Sequence, residues 1–292
     1  RQSLVSQDLV LPLAGIAPRA AVEVFSLLEE RSALVDGVVE LSMYELYCDN
    51  LIDLLQEAKN DTDRPKLQVK MAEHTESGLV EVENGVVKRV KCFQELMTLM
   101  DRGMQHRSTH STKMNAVSSR SHLVMSMVIR TTNRRSGALV QGKLTLVDLA
   151  GSERVDKSGA EGQRLKEAAS INKSLSAIGD VVGALTSGKG KHIPYRNHTL
   201  TTLMSDSLGG TAKTVMMVCC SPADYNVNES VNSLAFASRC KGVKSVKGAA
   251  GAGQQVQMLR MELARLKKEG GPAKKGAMVK TRGRGVPTPR RR

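Results

Sequence analysis

The run Gly142-Lys143-Leu144-Thr145-Leu146-Val147-Asp148-Leu149 constrains the fold more than any other stretch of the chain. It reads as a near-continuous apolar strand, the kind buried on both faces of a central sheet. Shortly after it, Arg164 to Ser187 places Leu165, Ala168, Ile171, Leu175, Ile178, Val182 and Leu185 at steps of three or four. That spacing gives one apolar stripe along a long helix. The opposite face carries Lys166, Glu167, Asn172 and Lys173. A buried strand feeding a long amphipathic helix predicts an α/β architecture, with a mostly parallel central sheet and helices on both faces.

The remaining elements fit that class. Ala17 to Leu34, Cys92 to Gly103, Tyr195 to Leu208 and Asn226 to Lys244 read as helices, and Asp49 to Leu55 as a short one. Val38 to Tyr47, Leu123 to Thr131 and Thr214 to Ser221 read as strands, the last ended by Pro222. An Arg- and Gly-containing turn separates the second of these from the Gly142 strand. Leu67 to Val90 reads as short strands, with Asn84-Gly85 between Val82 and Val86 as a hairpin signal. Cys219 and Cys220 fall in the apolar Thr214 strand, where alternate faces would bury or half-bury them. The five cysteines show no metal-ligand spacing, as expected of reduced core thiols.

Charge is unevenly distributed. The formal net charge is +14, yet Lys241 to Arg292 holds 15 Lys+Arg against 2 Asp+Glu, so residues 1–240 are nearly neutral. Gly248 to Gly253 reads as a flexible linker. Gln254 to Glu269 reads as a basic amphipathic, neck-like helix whose Val256, Leu259, Leu263 and Leu266 span only about two heptads. The Gly/Pro/Lys/Arg-rich stretch from Gly270 cannot bury a core and is expected to be disordered. No stretch of 18 apolar residues is present, so no membrane-spanning helix is expected. The basic tail favours a polyanionic partner without choosing one. A nucleic-acid reader is disfavoured, because no reader motif is found and aromatics make up only 2% of the chain.

Three segments carry possible chemistry. Asn115-Ala116-Val117-Ser118-Ser119-Arg120-Ser121-His122 groups hydroxyls and an arginine just ahead of a strand. A hydroxyl there can ligate Mg²⁺, and the arginine can pair with a carboxylate; an ordinary Ser-rich turn has the same composition. In the second segment, the Gly142 strand delivers Asp148 at its carboxyl end, followed by Ala150-Gly151-Ser152-Glu153. This is a Walker-B arrangement, in which the carboxylate lies near Mg²⁺ and a glycine N–H can approach a γ-phosphate. An Asp after an apolar strand is also common as a mere strand end. Together the two segments allow a latch between Arg120 and Glu153. The third segment, His192 to Thr201, opens a helix after the basic loop Gly188-Lys189-Gly190-Lys191, and a solvated charged loop explains it equally well.

In order and spacing, these segments resemble the kinesin motor domain. Ile171-Asn172-Lys173-Ser174-Leu175, Asp206-Ser207-Leu208-Gly209-Gly210, Asn232-Ser233-Leu234 and Ala237-Ser238-Arg239 continue the resemblance, which runs from about Gly15 to Val246. The body is most similar to kinesins with a C-terminal motor, the minus-end-directed, calmodulin-binding type. The resemblance implies an ATP- and Mg²⁺-dependent, microtubule-activated ATPase of the cytoplasmic cytoskeleton. Possible further partners are calmodulin or a second kinesin chain. It further implies a first switch of Asn115, Ser118, Ser119 and Arg120, with Ser119 near Mg²⁺. In the implied second switch, Asp148 reaches Mg²⁺ through water, Gly151 senses γ-phosphate and Glu153 pairs with Arg120. Arg164 to Ser187 becomes a relay helix. Arg154, Lys157, Lys173, Lys189, Lys191 and Arg196 would face the microtubule, whose acidic surface suits a cationic patch.

One expected part is missing. No GxxxxGK[ST] phosphate loop precedes Gly15. Gly183 to Gly190 comes nearest, but Gly190 stands where a hydroxyl is required, and the segment follows a helix rather than a strand. The chain also opens on Arg1 rather than Met, so an N-terminally truncated motor is the expectation. Loss of three charge-assisted hydrogen bonds to phosphate would weaken nucleotide binding by roughly 4.5–9 kcal/mol. ATP hydrolysis by this chain is therefore expected to be poor or absent. The alternative to a motor is a nucleotide-independent microtubule-binding module derived from one.

Overall fold

The computed structural model describes residues 14–57, 64–113, 118–152, 163–187 and 192–243. The first helix, α1 (Ile16–Glu30), buries Ala21 and Phe25. Strand β1 (Val35–Tyr47) follows, and Val39, Leu41 and Met43 are buried at the two-residue period of a pleated strand. Cys48 and Asp49, both at positive φ (46° and 64°), turn the chain into β2 (Asn50–Asp53), with Tyr47 opposite Asn50. The expected short helix at Asp49–Leu55 is thus a two-residue hairpin. Left-handed geometry at both central positions matches the strand twist and sends the chain back along β1.

Strands β3 (Gln68–Lys70) and β4 (Glu81–Glu83) form a separate two-stranded sheet. Strand β5 (Lys88–Val90) pairs with β1, with Val39 opposite Val90. Asn84-Gly85 therefore does not close the expected hairpin between Val82 and Val86. Asn84 takes φ 63°, the Gly85 N–H donates to Val82 O at 3.1 Å, and the chain is redirected from the small sheet to the main one.

Helix α2 (Phe93–Lys113) runs ten residues beyond the expected end at Gly103. Strands β6 (His122–Asn133) and β7 (Leu139–Asp148) are joined by the anticipated turn, where Asn133 Oδ1 accepts from the Arg135 and Ser136 N–H groups. Helix α3 (Gln163–Thr186) matches the predicted long helix. The expected helix from Tyr195 is broken into a single 3₁₀ turn at Tyr195–Asn197 and α4 (Thr199–Leu203). The break lies at His198, which is extended (φ −152°) and caps α4 by accepting the Leu200 N–H on Nδ1. The last described helix is α5 (Val227–Lys241).

The main sheet has the order β2-β1-β6-β7, with β5 sharing the β2 edge of β1. Its longest ladder pairs Val35–Leu46 with Asn133–His122. Helices lie on both faces, as expected of an α/β fold. Leu41, Met43, Met125 and Met127 point to one face and pack with Ala21, Phe25, Leu96 and Met100 from α1 and α2. Leu46 and Val124, of opposite parity, point to the other and meet Ile178, Val182, Leu200 and Met204.

Two expectations are corrected. Every pairing among the described strands is antiparallel, not mostly parallel. The β1–β2 and β6–β7 connections are tight turns, and a tight turn can join only antiparallel strands. Correspondingly, β7 is half-buried rather than covered on both faces. Thr214 to Ser221 does not form a strand: Val215 is 85% and Met217 66% exposed, and Cys219 and Cys220 are exposed rather than core thiols. Among the described residues this segment pairs with no strand, although Ser221 O accepts from Ser230 Oγ at 3.3 Å, and without a ladder β-propensity alone does not make a strand.

A Cβ placed on Gly85 would lie 2.3 Å from Tyr44 Oη and 3.0 Å from Val82 O. Gly85→Ala is expected to destabilise the fold by about 1–3 kcal/mol, because the backbone oxygen cannot swing aside. The urea midpoint of the purified variant against the parent chain checks this, and equal midpoints would contradict it.

Candidate functional site

Antiparallel pairing of β6 and β7 sets Leu123 opposite Asp148, so the loop entering β6 and the loop leaving β7 meet at one end of the sheet. Ser118–Arg120 forms a single 3₁₀ turn there. The Gly151 N–H donates to Ser119 O at 2.7 Å, joining the two loops directly. Ser119 is exposed, and the Asp148 side chain is 67% exposed. Thus the structure joins Ser119 to Gly151, three residues beyond the strand end that carries Asp148. Asn115 and Glu153 lie outside the described residues, as does the side chain of Ser118.

The site rests on a charge that sequence reasoning missed. Arg107 of α2 is 4% exposed. Its guanidinium reaches Glu45 Oε1 at 3.4 Å, Asp148 Oδ2 at 3.2 Å and Ser121 O at 3.2 Å. Ser121 Oγ donates to the same Glu45 oxygen at 2.6 Å. Glu45 is itself 4% exposed, so it is the buried counter-charge while Asp148 remains open to solvent. The sequence signal was slight: a glutamate inside an otherwise apolar strand end.

A second carboxylate was misplaced. Glu167, expected on the polar face of the long helix, is buried. Its two oxygens accept from Arg120 Nη1 at 2.9 Å and Tyr47 Oη at 2.6 Å. Burial, with the Glu167 hydrogen bond second, pushes the Tyr47 phenol upward. Among the described residues, Arg120 therefore pairs with the long helix, while its expected partner Glu153 is not among them.

Next to this pair lies His122, 3% exposed. Its Nδ1 accepts the Ala150 N–H at 3.0 Å, and Nε2 lies 2.7 Å from Ser174 Oγ. His198 Nε2 is 2.7 Å from Asp49 Oδ1, an ion-pair distance. Burial holds the His198 imidazole below its usual range, against the opposing pull of Asp49.

The expected track-facing cations divide. Arg154, Lys157, Lys189 and Lys191 lie outside the described residues. Lys173 is 63% exposed and donates to Asp49 Oδ2 at 3.3 Å. Arg196 is 61% exposed and contacts Glu73 at 3.0 Å and His74 Nε2 at 2.8 Å. Both cations are surface-exposed, and each already has an acidic partner.

Among the described residues no three His, Cys, Asp or Glu side chains form a metal cage. A magnesium ion shared with phosphates needs only one or two protein ligands, because it keeps several waters. The open carboxylate of Asp148 and the exposed Ser119 fit that limited demand. A phosphate cradle is another matter, since the sequence contains no GxxxxGK[ST]. No helix among the described residues is long and apolar enough to cross a membrane.

Burial pushes the His122 imidazole down to about 4, reinforced by His198 and Arg107 and opposed by Asp148. The unfolded chain takes up this proton near pH 6.5, but the folded chain does so only near 4. Stability from the neutral ring is therefore complete above about pH 6.5 and falls as the pH drops toward 4. Between pH 7 and 5 the loss is about 2 kcal/mol. His122→Gln should shrink the pH 7-to-5 stability difference by that amount, read from urea unfolding at the two pH values.

Residues 11–243 match the family described as the kinesin motor domain. The chain is 48% identical over 257 residues to the kinesin-like protein KIN-14I of rice (Oryza sativa subsp. japonica), covering 88% of this chain and 20% of that protein. It is 49% identical over 229 residues to KIN-14E of Arabidopsis thaliana, covering 78% and 18% respectively. It thus spans about a fifth of the length of these curated relatives. Among solved structures, a fast kinesin superposes with a TM-score of 0.71 at 38% identity, covering 81% of this chain and 66% of that one. The C-terminal motor and motor homology domain of Kar3Vik1 gives 0.69 at 34% identity, over 80% and 59%. The loop pair joined at Ser119 and Gly151 therefore sits in a chain that belongs to the kinesin motor domain family.

Proposed function

We propose that this chain supplies the switch and track-binding part of a microtubule motor of the cytoskeleton. The observation that carries the reading is the direct link between the two loops, Gly151 N–H to Ser119 O, beside the open carboxylate of Asp148. A glycine amide already held by a neighbouring backbone oxygen can exchange that acceptor for a phosphate oxygen at little steric cost. Ser119 and Asp148 would hold Mg²⁺, with Asp148 acting through water, and Gly151 would meet the γ-phosphate. Bound Mg·ATP would supply the phosphoryl group that the motor transfers to water. Asn115, Ser118, Arg120 and Glu153 complete the proposed catalytic set.

Movement at these loops has a short path to α3, because Arg120 bonds Glu167 on that helix. In turn α3 carries Lys173, which joins Arg196 and the loop residues Arg154, Lys157, Lys189 and Lys191 in the proposed microtubule face. The proposed calmodulin or second-chain contacts would involve the segment after residue 243, outside the described residues.

The absence of GxxxxGK[ST] favours a second reading for the chain by itself, a microtubule-binding module that does not respond to nucleotide. Co-sedimentation with microtubules at moderate salt, with and without ATP, separates the readings. The chain is expected to pellet with microtubules to the same extent in both, and to pellet less as salt rises. Release by ATP would show that the loops sense nucleotide without a phosphate loop and would overturn the energetic argument. Failure to pellet at all would overturn the track-binding assignment.

A further inference from the structure

His122 closes the Ser- and Arg-rich loop, yet no role attaches to it in the reading above. Its surroundings are fully specified. Because Nδ1 accepts the Ala150 N–H, the proton of the neutral ring sits on Nε2. That proton goes to Ser174 Oγ at 2.7 Å, and Ser174 passes its own to Ile171 O at 2.6 Å. All three side chains are shut off from water, with Ala150 4%, Ser174 2% and His122 3% exposed. A buried, directional chain of this kind is rigid, since any broken link leaves an unsatisfied polar group.

Successive amides after Asp148 are thus held differently. The Ala150 N–H is fixed on an imidazole that is braced against α3. The Gly151 N–H rests on Ser119 O, a backbone carbonyl of a neighbouring short turn. Rotation about the Ala150–Gly151 link can swing the second amide while the first stays in place.

The geometry points to His122 as a positioning residue: a pivot that fixes the Ala150 peptide to α3 through Ser174, so that only the Gly151 amide changes acceptor. This rests on the reading of Gly151 as the amide that meets a phosphate. The pivot couples the strand end to the helix without the Arg120–Glu167 pair, and it acts on the backbone rather than on substrate.

Amide hydrogen exchange at single-residue resolution on the full chain tests it. His122→Asn places an acceptor near the Nδ1 position but cannot reach Ser174. His122→Gln places a donor near the Nε2 position but cannot serve Ala150. The Asn variant is expected to keep Ala150 protection within about twofold and to speed exchange in α3 around residues 171–178. The Gln variant should speed Ala150 exchange about five- to tenfold, the cost of one lost hydrogen bond, while α3 stays near parent rates. Ser174→Ala should reproduce the Asn pattern, and it keeps the test decisive if a His122 variant fails to fold. Equal acceleration of Ala150 in the Asn and Gln variants, or an unchanged α3 in Ser174→Ala, would mean that the ring merely fills space and would overturn the pivot. Exchange is read without microtubule or nucleotide, so its failure is distinguishable from a failure to pellet.

Discussion

A guanidinium removed from water must be matched in charge and in hydrogen bonds, or the fold around it does not form. Arg107 imposes that condition on four elements at once. It projects from α2 onto Glu45 of β1, the Ser121 carbonyl at the entry to β6 and Asp148 at the end of β7. One positive charge faces two carboxylates, and only Glu45 is buried with it. The arrangement fixes where the two loops begin and leaves the cluster one negative charge in excess, on its solvent side. The positions of Ser119 and Gly151 follow from this anchor, and so does the direction in which Asp148 is open.

Around that anchor the sheet divides the labour between its faces. One parity of residues on β1 and β6 packs against α1 and α2, and the other packs against α3 and α4. His122, Ser174, Tyr47 and Glu167 tie the strand ends to α3 by hydrogen bonds. The first face carries its own polar chain, from Arg107 of α2 to Glu45, Ser121 and Asp148. The strand ends are therefore bonded to helices on both sides, to α2 through Arg107 and to α3 through Glu167 and Ser174.

The sequence made some of this legible. Helical periodicity located α1, α3 and α5 closely, and the apolar run before Asp148 located β7. The meeting of the Ser119 and Gly151 loops was readable because both adjoin strand ends. Strand direction was not, because period-two alternation is the same for parallel and antiparallel ladders. The hairpin at Cys48-Asp49 escaped because the left-handed pair carries Cys-Asp rather than a glycine signal. Thr214 to Ser221 has strand composition but no ladder partner among the described residues, so propensity misled there. Glu167 and Arg107 were missed for a common reason: a charged residue reads as solvent-facing unless its buried partner, distant in sequence, is already known.

The prior engagement of Lys173 by Asp49 and of Arg196 by Glu73 has a consequence for salt dependence. Each cation meets an outside carboxylate only in competition with one of the chain's own. A lone acidic side chain on a passing protein offers no better bargain than the partner already in place, so the exchange is close to neutral. Both pairs are exposed at the surface, where an ion pair is worth only about 0–1 kcal/mol, so opening either one costs little. Because all four side chains are exposed, added salt loosens these internal pairs along with any contact the cations make to an outside carboxylate, so salt weakens both sides of the competition together.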